Sequence, residues 1–200
     1  MVVTGIYYAL CLSGVGAAVG YFTRGWAGVP FYIAALFCLW FFRDPDRAIP
    51  DGPVAVAPAD GQVISIKRKP ESTRVAIFMN VFNVHVNRSP IAGRIVDIRY
   101  REGKFLVASR AEAAIENEMN TFVVEGDGTR IEFTQIAGLI ARRIVSYKKP
   151  GDTVQKGERV GLIKFGSRVD VTFGPEWTIE VREGQRVSAG TTILARRKDA

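Results

Sequence analysis

A glycine followed by a serine, Gly166-Ser167, set in Ile163-Lys164-Phe165-Gly166-Ser167-Arg168-Val169-Asp170, permits a reaction open to few dipeptides. Glycine leaves its carbonyl carbon accessible, so the neighbouring hydroxyl can attack it, convert the amide to an ester, and become a pyruvoyl group. Gly-Ser is also an ordinary turn pair, so the dipeptide needs a base nearby before it means anything. The chain holds one histidine, His85, in Phe82-Asn83-Val84-His85-Val86-Asn87-Arg88-Ser89-Pro90. Two asparagines, an arginine and a serine interrupt a run that packing alone would make apolar, which marks a polar site. Asp60, in Ala57-Pro58-Ala59-Asp60-Gly61, reads by itself as a turn aspartate. Beside His85 and Ser167 it completes a candidate Asp-His-Ser set, the carboxylate holding the imidazole and the imidazole drawing the hydroxyl proton.

Those residues need a scaffold, and the chain supplies two textures. Residues 1–42 carry a single charged side chain, Arg24, whereas the sequence from Arg43 onward is densely charged; the net charge is +7. Two apolar runs, Gly5 to Phe22 and Val29 to Phe42, flank Thr23-Arg24-Gly25-Trp26-Ala27-Gly28. At about 1.5 Å of rise per residue the first is just long enough to cross a bilayer; the second is short and must use its aromatic ends or lie partly in the interface. Trp26, Tyr32, Trp40, Phe41 and Phe42 suit an interfacial belt. The spacing predicts a membrane-associated helical hairpin over 1–42 and a second domain over 43–200. The start Met-Val-Val-Thr has no basic residue, which fits a retained segment better than a cleaved signal. Arg43, Arg47 and Lys67-Arg68-Lys69 outweigh the lone Arg24, so the larger domain is expected on the cytoplasmic face of the cell (inner) membrane. Cys11 and Cys38 both lie inside the apolar runs and offer neither a disulfide framework nor metal-ligand spacing.

From Arg43 the pattern is of short strands. Val54 to Val56, Gln62 to Lys67, Arg74 to Asn80, Gly93 to Tyr100, Thr121 to Glu125, Arg130 to Ala137 and Ala141 to Val145 alternate or run apolar between Gly, Pro and Asp. Only Ala108 to Asn117 reads as a helix. The fold class is therefore mainly β. Pro150-Gly151-Asp152-Thr153-Val154-Gln155-Lys156-Gly157 and Glu183-Gly184-Gln185-Arg186-Val187-Ser188-Ala189-Gly190 share Gly-x-x-Val-x-x-Gly in register. This repeat is similar to the hammerhead turns of lipoyl and biotinyl carriers, the barrel-sandwich hybrid. Neither copy presents a carrier lysine at a hairpin tip. A membrane-anchored lipoyl-like adaptor without catalysis accounts for the hairpin and the repeat, but not for the polar segment around His85.

Taken in order, further segments carry a family resemblance: Phe42-Arg43-Asp44-Pro45, Pro58-Ala59-Asp60-Gly61, Phe82 to Pro90, Gly103-Lys104-Phe105-Leu106, and Glu116-Asn117-Glu118-Met119-Asn120. Ile136-Ala137-Gly138, Ala141-Arg142-Arg143-Ile144 and Phe165-Gly166-Ser167-Arg168 continue the series. With them the chain resembles the phosphatidylserine decarboxylases of the short bacterial and archaeal type, from Arg43 almost to the end. Longer members carry Gly-Ser-Thr where this chain has Gly-Ser-Arg, and a pair of histidines where it has His85 and then Arg88. One histidine must then serve both self-cleavage and turnover, or another group takes the second role.

The resemblance implies self-cleavage between Gly166 and Ser167 into chains 1–166 and 167–200, with Ser167 becoming the pyruvoyl cofactor; no metal and no pyridoxal phosphate are expected. It implies a Schiff base between that ketone and the serine headgroup of phosphatidylserine, loss of carbon dioxide, and return of a proton, with His85 as base and acid and Asp60 orienting it. An ether-linked serine lipid such as archaetidylserine would undergo the same chemistry. Arg142, Arg143 and Arg168 are candidates for holding the lipid phosphate or carboxylate. The expected partners are an anionic phospholipid and its membrane surface, and the two cleavage chains as a heterodimer that could pair again. With no groove-reading helix and no aromatic-basic stacking platform, nucleic acid is not expected.

Overall fold

The computed structural model describes residues 2–103, 108, 116–138, 143–164 and 166–198. The chain divides into two compact units, Met1–Asp46 and Arg47–Ala200. In the first, α1 (Val3–Phe22) and α2 (Val29–Phe41) are joined by a single turn of tighter helix, Gly25–Gly28. Only α1 is long and apolar enough to cross a membrane; α2 has 13 residues, or about 20 Å of helix. Pro30 sits in the first turn of α2, where its missing N–H costs nothing. Small residues let the two helices meet: a Cβ on Gly28 would lie 2.4 Å from the Gly16 carbonyl oxygen.

The second unit is built of strands β1 (Val54–Val56), β2 (Gly61–Lys69), β3 (Ser72–Met79), β4 (Val86–Arg88), β5 (Gly93–Arg101), β6 (Met119–Gly126) and β7 (Thr129–Ala137). It continues with β8 (Ile144–Ser146), β9 (Thr153–Val154), β10 (Arg159–Ile163), β11 (Ser167–Phe173), β12 (Trp177–Ile179), β13 (Arg186–Val187) and β14 (Ile193–Arg197). An eight-stranded sheet runs β13-β2-β3-β11-β7-β6-β5-β9, with two three-stranded sheets, β1-β14-β12 and β4-β10-β8, beside it. Mainly β is thus the observed class. The predicted strands are present, their ends displaced by a residue or two. The expected helix Ala108 to Asn117 and the start of the expected strand at Ala141 fall largely outside the described residues.

The core follows from the period of two along each strand. On β11, Val169, Val171 and Phe173 enter the cluster with Ile77, Val75 and Phe133. Phe122 and Phe133 stack there with ring centres 4.9 Å apart. Because β11 is paired to both β3 and β7 along its length, its first residue is fixed from either side.

Both hammerhead turns do the same work on different strands. Gly151 N–H donates to Ile95 O at 2.7 Å while Gly184 N–H donates to Val63 O at 2.8 Å. Gly157 and Gly190 likewise bond Ser89 O and Ala57 O, each at 2.8 Å. All four glycines have positive φ, between 75° and 95°, which is why the repeat keeps glycine there. The gripped segments are themselves related, Pro58-Ala59-Asp60-Gly61-Gln62-Val63 and Pro90-Ile91-Ala92-Gly93-Arg94-Ile95. The molecule therefore contains two paired copies of a motif on either side of the β11-β7 pair, an internal symmetry of which the sequence shows only the C-terminal half of each copy.

Candidate active site

Ser167 opens β11, fully buried, opposite Met79 of β3 and Ala137 of β7. Its hydroxyl donates to Met79 Sδ at 3.3 Å, a thioether that is only a weak acceptor. Gly166, immediately before the strand, has φ +62°, the left-handed region that favours glycine. Its carbonyl oxygen lies against Gly138, where an added Cβ would approach within 2.2 Å. Just upstream of Gly138, the side chain of Asn117 donates to the Ala137 carbonyl at 2.7 Å and ties down the end of β7.

His85 precedes β4 and is 2 % exposed. Gly166 N–H donates to its Nε2 at 3.3 Å, and its Nδ1 lies 2.9 Å from Asn83 O. A carbonyl oxygen can only accept, so Nδ1 carries the proton and Nε2 presents its lone pair to the Gly166-Ser167 segment. The loop behind the ring is fastened by two asparagines: Asn80 N–H donates to Asn83 Oδ1 and Phe82 N–H to Asn80 Oδ1, both at 2.9 Å. Ring orientation thus traces to local turn chemistry.

Asp60 differs from expectation. Its two carboxylate oxygens accept from Arg47 Nη2 at 2.9 Å each, and Oδ1 also accepts from Ala189 N–H at 2.7 Å. Among the described residues it makes no hydrogen bond to His85, whose Nδ1 is held by a backbone carbonyl instead. The physical reason is compensation: a carboxylate 14 % exposed is better satisfied by a guanidinium and a turn N–H than by a neutral ring.

The arginine candidates separate. Arg142 lies outside the described residues. Arg143 is exposed, and its carbonyl accepts from Lys164 N–H at 3.3 Å, while Ile163 N–H donates to His85 O at the same distance. Those bonds place Arg143 at the end of the β4-β10-β8 sheet where His85 stands. Arg168 follows Ser167 and so projects from the opposite face of β11. There it pairs with Asp170, Nη2 to Oδ2 at 2.8 Å, both side chains under 8 % exposed. It is not directed at Ser167.

A buried amide chain also went unread in the sequence. Asn120 Nδ2 donates to Gln135 Oε1 at 3.1 Å, and Gln135 Nε2 donates to Asn87 Oδ1 at 2.8 Å. One signal was available: Ile131, Phe133, Gln135 and Ala137 alternate inward on β7, and a glutamine in that series breaks an apolar face. Among the described residues no group of three or more His, Cys, Asp or Glu side chains could hold a metal ion.

A buried serine after a left-handed glycine, with an imidazole accepting from that glycine's own N–H, sets a hydroxyl and a base together at one end of β11. A profile described as phosphatidylserine decarboxylase matches residues 34–195, and the chain belongs to that family. A protein of Solibacter usitatus (strain Ellin6076), named phosphatidylserine decarboxylase proenzyme, is 61% identical over 199 residues, covering 100% of this chain and 98% of its own. Proteins of the same name from Desulfotalea psychrophila (strain LSv54 / DSM 12343) and Oleidesulfovibrio alaskensis (strain ATCC BAA-1058 / DSM 17464 / G20) are 49% and 46% identical, covering 82% and 86% of this chain and 81% and 82% of theirs.

Proposed function

We propose that the chain is a proenzyme that cuts itself between Gly166 and Ser167 and then decarboxylates phosphatidylserine to phosphatidylethanolamine at a membrane surface. The observation that carries this reading is the hydrogen bond from Gly166 N–H to His85 Nε2 beside the buried Ser167 hydroxyl. His85 Nε2 takes the hydroxyl proton as Oγ attacks the Gly166 carbonyl carbon, and the Gly166–Ser167 amide becomes an ester. Loss of the Ser167 Cα proton expels Gly166 as a carboxylate by breaking the Cβ–Oγ bond. Water then replaces the freed amine at Cα, and ammonia leaves. The residues fit the pyruvoyl group this produces: the site is buried, and a neutral base faces it.

That group supplies a ketone able to take the headgroup amine and accept the electrons released with carbon dioxide. His85, neutral and held at Nδ1 by Asn83 O, would take a proton at Nε2 from the incoming headgroup ammonium and return that proton to the product carbon. Asp60, paired with Arg47 and the second hammerhead turn, secures the segment whose Pro58 carbonyl accepts Arg88 N–H at 2.9 Å. Arg143 stands at the same sheet end as His85, where it would meet an anionic headgroup. The apolar N-terminal unit anchors the enzyme, and the basic residues after α2 set the catalytic unit on the cytoplasmic face.

Intact mass measurement of purified protein tests the reading. Two chains, residues 1–166 and a blocked 167–200, are expected; Ser167→Ala should give one uncut, inactive chain. A wild-type protein that remains in one piece and still releases carbon dioxide from phosphatidylserine would overturn it. Diacyl and ether-linked serine lipids assayed side by side report whether the tails are read.

A further inference from the structure

We propose that Asn87 is the hydrogen-bond donor for the carbonyl or carboxylate oxygen that enters the site once residue 167 has been converted. This rests on the pyruvoyl reading above. Asn87 is fully buried. Its Oδ1 is fixed by Gln135, which is fixed in turn by Asn120. The amide dipoles all run one way, ending at Asn87 Nδ2.

That final donor has only weak acceptors. Its contacts are Pro58 O at 3.5 Å, the outer limit for an oxygen acceptor, and Met79 Sδ at 3.7 Å, within reach of sulfur but a weak acceptor. Met79 Sδ also receives the Ser167 hydroxyl at 3.3 Å. Two donors thus converge on one weak acceptor, and a buried amide left in that state is costly. Conversion of residue 167 resolves the imbalance, because Oγ departs with Gly166 and an oxygen acceptor appears. The chemistry shared by the two sources, the ketone of residue 167 and the carboxylate of the substrate, is an oxygen lone pair beside Met79. Gln135 and Asn120 are positioning residues, acting through Asn87.

The test uses the full chain in detergent or vesicles, with isotope-labelled serine placing an NMR signal on the ketone carbon. Asn87→Leu removes the donor, and Gln135→Met leaves the donor but unpins it. Both should still be cut, and kcat should fall about a hundredfold for Asn87→Leu and about tenfold for Gln135→Met. A ketone resonance shifted in the substrate-free variants assigns the donor to the ketone. An unshifted resonance with weakened binding of phosphatidylserine, but not of phosphatidylethanolamine, assigns it to the carboxylate. Variants that are cut, with resonance, binding and kcat all unchanged, overturn the proposal. So does a failure of both variants to be cut, which would give the amide chain to the proenzyme alone. Absence of a ketone resonance in the wild type sinks the pyruvoyl reading itself, a separate result.

Discussion

Gly138 and Gly166 touch, yet each is glycine for its own reason, and the two substitutions should behave differently. At Gly166 a Cβ would meet nothing within 4 Å among the described residues, but φ is +62°. Gly166→Ala should therefore cost about 1–2 kcal/mol, read as a lowered melting temperature, with cleavage slowed but less than by a group that displaces the carbonyl. At Gly138 the added Cβ would fall 2.2 Å from the Gly166 carbonyl oxygen and push aside the carbon that Oγ must reach. Gly138→Ala should lower the melting temperature, because the clash is with backbone, and should also slow self-cleavage roughly a hundredfold, measured by the rate at which the uncut chain disappears. His85→Ala should likewise leave the chain uncut. The residue chemistry was legible where it rests on scarce types, a lone histidine and a Gly-Ser pair. It was not legible where it rests on contacts. Whether Asp60 faces His85 or Arg47 depends on which groups the fold brings near, and neighbouring strand residues such as Ser167 and Arg168 look adjacent in sequence while facing opposite sides.

At the scale of elements, the hammerhead turns can be examined through their ion pair. Glu158 accepts from Gln155 N–H at 2.8 Å and pairs with Lys148. Burial pushes its carboxyl up, but the Lys148 ammonium and the Gln155 amide outweigh that and hold it below the usual range. A depressed folded-state value means stability that is present above the unfolded value and is lost as pH falls through the folded one. Glu158→Gln should thus be less stable than the wild type at neutral pH, and the difference should vanish in acid below the ordinary glutamate range, followed by thermal melts across pH. The repeat was readable because Gly-x-x-Val-x-x-Gly encodes turns with positive φ. Its N-terminal counterpart was hidden, since the strands that the turns grip keep only a proline and a glycine in common, Pro58 and Gly61 against Pro90 and Gly93. Sheet order was beyond reach for a different reason. Alternation tells which face of β11 is apolar but not that its neighbours are β3 and β7, whose pairing depends on long-range contacts.

For the whole molecule, the division after Asp46 separates the two apolar helices from the strands that carry His85 and Ser167. A chain beginning at Arg47 should still cut itself and should turn over a dispersed short-chain serine lipid, yet sediment poorly with anionic vesicles that carry the full-length protein down. Loss of cleavage on truncation would mean that the apolar unit takes part in processing. The proposed break ahead of Ser167 would have one more outcome, because it would fall at the edge of a strand held on both flanks. β11 stays locked between β3 and β7, β13 remains on β2, and β14 on β1. The small piece is woven into the large one rather than perched upon it. Such a cut would erase a covalent memory: a molecule that folded once as a single thread would, after denaturation, have to find its missing strand by collision, so recovery should depend on dilution as the uncut precursor's does not.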